Sequence, residues 1–129
     1  MSNGLNLRFA VEPVRYILGP SVTAAYVALG NAGLTALQNG ARQILIQNGT
    51  DGDVMISFDG VTDHFPVFLG AFVLLDITTN KNDQAGSLYL AAGTTIYAIQ
   101  LNAAAGEAFA GDYTNPTKGA VFATIYYGQ

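Results

Sequence analysis

The apolar positions of the chain fall into short runs, separated by glycine and polar clusters, with a period of two or none at all. The clearest alternation sets Val54, Ile56 and Phe58 against Met55, Ser57 and Asp59, the pattern of a half-buried strand. Just before it, Arg42-Gln43-Ile44-Leu45-Ile46-Gln47-Asn48 is β-rich and runs into the turn cluster Asn48-Gly49-Thr50-Asp51-Gly52-Asp53. Two such runs around one turn predict a hairpin with a loop of about five or six residues. Residues 65–69 and 72–77 form two further runs divided by Gly70, with Pro66 near the start of the first, where a missing N–H matters least. A polar loop over 79–84 follows. Residues 87–90 and 95–101 predict strands on either side of Ala92-Gly93-Thr94, and 120–127, β-branched and aromatic, predicts the last strand.

The first forty residues are less regular. Residues 5–18 carry two arginines and Glu12-Pro13 without helical period, and Pro13 would break a helix interior, so the segment reads as an extended arm or an edge strand. Residues 24–29 predict a short strand closed by Gly30-Asn31, and 34–37 reads as strand or turn. Residues 102–117, rich in alanine and glycine and broken by Asn115-Pro116, are the least regular stretch. About eight short strands at roughly ten-residue spacing, with no helical period after Arg42, predict an all-β fold. The expected architecture is a single β-sandwich, jelly-roll or Greek-key like. An N-terminal arm over 1–19 precedes a β-sandwich domain over 20–129.

Composition narrows the function more than the fold. A chain of 129 residues is enough for one domain. Half its residues are hydrophobic and only 11% are charged, which excludes charge-driven disorder. A net charge of −4 argues against nucleic acid as a partner and against docking on an anionic membrane. The absence of cysteine removes disulfides, thiolate nucleophiles and thiolate metal sites. The charge-free stretch 16–41 is long enough to span a bilayer, but Gly19-Pro20-Ser21, Gly30-Asn31 and Gln38-Asn39-Gly40 would strand backbone groups in lipid. Met1-Ser2-Asn3-Gly4 offers no basic, then apolar, signal segment, so a soluble protein made in a cytoplasm is expected. A small domain cannot hide so much apolar surface in its own core, and exposed apolar area marks interfaces. The expectation is a homo-oligomer or a subunit on a larger assembly, with Arg8 and Arg15 on an arm that reaches a neighbour.

Candidate chemistry is sparse. Asp51, Asp53, Asp59 and Asp63 invite a calcium reading, but Met55 stands where an EF-hand ligand belongs and no glutamate closes the loop, so turn roles compete. Ser57, His64 and Asp63 could form a triad only if strand geometry joined them, and no Gly-x-Ser-x-Gly elbow surrounds Ser57, which reads instead as the polar face of its strand. Glu12 and Glu107 lie far apart and nothing marks them as a glycosidase pair. Asn48-Gly49-Thr50 matches a glycosylation acceptor, yet reads better as a turn. Tyr89, Tyr97, Tyr126 and Tyr127 fall on expected strands, where cross-strand ring pairs compete with a sugar-stacking face. No catalytic residue, cofactor site or metal site is assigned.

The run from Arg42 to Gly60, followed by Asp63-His64 and Leu75-Asp76-Ile77-Thr78-Thr79-Asn80, resembles a family of small tailed-bacteriophage virion proteins. Tyr26-Val27-Ala28-Leu29-Gly30, Ala92-Gly93-Thr94-Thr95-Ile96-Tyr97 and the terminal Ile125-Tyr126-Tyr127 fit the same pattern, so the likeness runs from about Pro13 to the end. It rests on strands and turns and holds no catalytic signature. The stretch 102–118 is longer than the family pattern and could carry something particular to this chain. The resemblance implies a structural, non-enzymatic protein of the virion, with a capsid decoration or cement protein as first reading and a head–tail connector or tail component as second. Its partners would be itself and other virion proteins, such as major capsid or connector subunits, with no nucleic acid and no membrane. From a different class, a carbohydrate-binding β-sandwich module is the alternative.

Overall fold

A computed structural model describes residues 9–76 and 90–128. Among the described residues nine strands form in chain order: β1 (Phe9–Val11), β2 (Arg15–Leu18), β3 (Val27–Ala28), β4 (Gln43–Asn48), β5 (Val54–Ser57), β6 (Phe65–Val67), β7 (Phe72–Asp76), β8 (Tyr97–Gln100) and β9 (Ala120–Gly128). They make two antiparallel sheets packed face to face, a β-sandwich. No described helix is long and apolar enough to cross a membrane. The first sheet runs β1-β9-β4-β7, with β2 also paired to β9; the second runs β3-β8-β5-β6.

The long strand β9 organises the first sheet. Its C-terminal end pairs with β1 (Val11 opposite Tyr126) and its N-terminal end with β2 (Leu18 opposite Ala120), while its other edge takes β4 (Ile44 opposite Ile125). Of the two readings of 5–18, the described part is edge strand; residues 1–8 lie outside the description. Alternation then decides the core: Ile17, Ile44, Ile46, Val121, Ala123 and Ile125 face inward against Val54, Ile56, Val67, Ile96 and Ala98 from the second side.

The expected hairpin over 43–57 does not form. β4 pairs with β7 and β9, whereas β5 pairs with β6 and β8, so the turn between them carries the chain from one sheet to the other. Asn48 makes the corner. Its buried side-chain amide donates to the carbonyls of Gly52 (2.9 Å) and Val67 (2.8 Å), and its oxygen accepts from the N–H and hydroxyl of Thr50. Bonds to both sheets turn the chain out of its own plane. Ser57, expected on a polar face, is fully buried.

Among the remaining expectations, residues 24–29 contain only the two-residue β3, and 34–37 is not a strand, though Leu34 bridges Asn31. The strand expected at 87–90 lies largely outside the described residues. The irregular stretch after β8 is a pair of 3-10 turns, Leu101–Ala103 and Ala105–Glu107, followed by loop. It folds over the outer surface of the second sheet. There Leu101, Ala104, Ala103 and Phe109 cover Met55 and Ile99, making a second small apolar cluster, and β5 is buried on both faces as a result.

Candidate functional site

The carboxylates singled out in the sequence are occupied by backbone. Asp51 accepts from the N–H (2.7 Å) and hydroxyl (2.5 Å) of Thr117 and from the Lys118 N–H, and these bonds hold its carboxyl down at about 2. Buried Asp53 accepts from Leu69 N–H at 2.9 Å and Thr114 N–H at 3.3 Å. One oxygen of Asp59 takes the N–H groups of Thr62 and Val61, which hold its carboxyl well below the usual range, and the Ser57 hydroxyl. Asp63 accepts the Tyr26 hydroxyl and the Ala105 N–H, tying the turn before β6 to the covering segment. Burial, then the Asp63 carboxylate, pushes the Tyr26 phenol upward. Among the described residues no three His, Cys, Asp or Glu side chains converge as metal ligands.

The triad residues are placed for structure too. The Ser57 hydroxyl donates to Asp59 and accepts from the N–H groups of Gly60 (2.9 Å) and Asp59, so its lone pairs are taken. His64 Nδ1 accepts the Phe58 N–H at 3.1 Å, and its ring lies against Phe58. Nδ1 is thus spent on the backbone, and the Ser57 hydroxyl gives its proton to Asp59. Glu12 is buried in an ion pair with Arg15 (2.7 Å), while Glu107 is exposed on the segment covering the opposite sheet. Burial pushes the Glu12 carboxyl up, but bonds from the Gln38 N–H, from Asn39 and from Arg15 outweigh it and hold it below its ordinary value. Asn48, the would-be glycan acceptor, has its nitrogen engaged inside the corner. Of the tyrosines, Tyr89 lies outside the described residues, Tyr97 packs under Gly60, and Tyr126 sits opposite Val11 and Gln43.

What the fold leaves available is a surface. The register places four rows across the outer face of the first sheet: Leu18 and Ala120; Tyr16, Phe122, Gln47 and Phe72; Thr124, Leu45 and Leu74; Val11, Tyr126, Gln43 and Asp76. Phe72 is 66% exposed, Leu18 and Val11 54%, Leu74 51%. Tyr16 and Phe122 stack as a tilted pair 6.4 Å apart. Between Phe122 and Phe72 a groove of about 430 Å³ opens over Gln47, Asn48, Gly49, Gly70 and Ala71. Of these side chains, sequence reading singled out Tyr126 alone, among the tyrosines of a conceivable stacking face. The signal was there in 72–75, Phe-Val-Leu-Leu, which is apolar on both faces of an edge strand, as only a strand covered on both sides or a sticky one would be.

Set beside known proteins, the chain matches no family model, no curated protein and no solved structure.

Proposed function

We propose that the chain is a non-catalytic assembly subunit of a bacteriophage particle, a capsid decoration or cement protein by preference and a head–tail connector or tail component next. The observation that supports assembly is the open face of the first sheet, a contiguous apolar surface around Tyr16, Leu18, Phe72, Leu74 and Phe122. Surfaces of that kind on small domains are contact surfaces. The polar groups that could have run chemistry brace turns instead. The likeness of 42–80 to small virion proteins is what points the assembly toward a phage. Mechanism on this reading is geometric: weak apolar contacts repeated over many copies hold a shell by avidity.

The test is quantitative mass spectrometry of density-purified phage particles from cells carrying the gene. Many copies per particle support decoration, and a single ring's worth supports the connector. Absence from the particles overturns the phage reading. A row of exposed rings beside Gln47 also suits sugar stacking, which keeps the carbohydrate-binding alternative in play; ligand-dependent thermal stabilisation in a glycan panel would favour it. Leucine and valine, which read no hydroxyls, surround those rings and favour a protein partner.

A further inference from the structure

We propose that the open face of the first sheet is a self-association surface, on which a second copy of this chain packs face to face about a two-fold axis. The inference extends the assembly reading by naming the first partner. Three features of the face carry it.

The first is self-complementarity. A two-fold interface uses one patch twice, so the patch must hold both a protrusion and the recess that receives it. Here Phe72 is the most exposed ring of the face, and the groove floored by Gly49, Gly70 and Ala71 lies directly beside it. An added Cβ at Gly70 would meet nothing, so the floor is open to an incoming side chain. Phe72 of each copy enters the groove of the other, and Gln47, at the groove's base, is placed to pair with its own counterpart.

The second is size. The exposed parts of Val11, Tyr16, Leu18, Phe72, Leu74 and Phe122 leave roughly 600 Å² of apolar surface, and their polar neighbours bring the patch close to the roughly 800 Å² per partner of a standard interface.

The third is charge. Each copy carries a net charge of −4, which repels a second copy over most approaches. Among the described residues of this face, the charges sit at one end, Asp76 in a corner row and the Arg42 guanidinium over Gly128, both away from Phe72 and Phe122. An uncharged centre with aromatic residues is the composition of an interface core. On the opposite face of the sandwich, residues 101–109 already cover Met55 and Ile99, and the exposed Phe68 and Tyr113 sit at the rim.

The test is light scattering behind a sizing column on the wild-type chain and on Phe72→Lys, Leu74→Lys and the control Val61→Lys. Val61 is 82% exposed in the turn after β5, off the proposed surface. The expected result is a two-chain mass for wild type and Val61→Lys. Phe72→Lys and Leu74→Lys should fall to a one-chain mass with unchanged circular dichroism, a weakening of at least about thirtyfold for a central anchor. Because the chain has no cysteine, Gln47→Cys should oxidise to a covalent dimer and Val61→Cys should not. A wild-type mass of one chain, of three or more, or a dimer indifferent to both lysines and to Gln47→Cys overturns the proposal. A one-chain mass together with abundant protein in particles overturns only the two-fold pairing and leaves the assembly reading standing.

Discussion

Arg15 is the largest wholly buried polar side chain among the described residues, and its guanidinium meets acceptors on several sides. It pairs with Glu12 and donates to the carbonyls of Pro13, Thr35 and Ala36, while Glu12 gathers the N–H groups of Gln38 and Asn39. Together they pin the turn over 35–39 to the edge of the first sheet. Glu12→Ala would leave that guanidinium buried and uncompensated, a loss of about 3–5 kcal/mol, to be read as a lower urea midpoint at unchanged m-value. None of this was legible in the sequence, where Glu12-Pro13 and Arg15 look like the polar decoration of an arm. Asp51 gives a second prediction. Its carboxyl titrates near 2 in the folded chain against an ordinary 3.8, so the anchor to Thr117 is intact above the ordinary value and is lost as pH falls through the folded one. Melting temperature should therefore drop between about pH 4 and pH 2, and Asp51→Asn should flatten that part of the profile.

At the scale of elements, strands were legible and their pairing was not. Alternation over 54–59, and β-rich or apolar runs bounded by turn residues elsewhere, placed β4, β5, β7 and β9 within a residue or two, because such patterns are local. Asn48-Gly49-Thr50-Asp51-Gly52-Asp53 announces a turn equally well whether the chain returns to its own sheet or crosses to the other. The difference lies in partners far away: Gly52 packs against the backbone of 114–116 with no room for a Cβ, and Gly119 sits against the Gly49 carbonyl at φ +78°. The corner is thus wedged between β4 and the start of β9. Gly119→Ala would combine a left-handed backbone with a collision and should destabilise by about 1–3 kcal/mol, seen in thermal or urea unfolding. Adding a Cβ at Gly93, also left-handed but open to space, should cost less than at Gly119, which separates the collision from the strain.

Across the whole molecule, the two sheets are treated unequally. The second has its outer face roofed by 101–109, with Phe109, Tyr113 and Phe68 in ring contact at the rim. The first keeps Phe72, Leu74 and Leu18 in the open. Composition made it legible that apolar surface must be left over, since half of a small chain is hydrophobic. It did not reveal which face, because 72–75 is apolar on both sides and the roofing residues are too sparse to look like a core segment. Exchanging 103–112 for a short glycine-serine link should uncover Met55 and Ile99, at about 1.5–3 kcal/mol each, and create a second adhesive face. The expected readout is a new dye-binding signal and open-ended association in place of a closed oligomer.

Phe9 pairs with Gly128, so the first described strand and the last lie side by side with those two residues at the same rim. Tension applied between them would part β1 from β9 one rung at a time, like a zipper, and would never load a whole strand at once. Tension borne across the broad face of the first sheet would meet all its rows together. As a mechanical part, the molecule yields when drawn apart at that rim and holds when pressed as a tile.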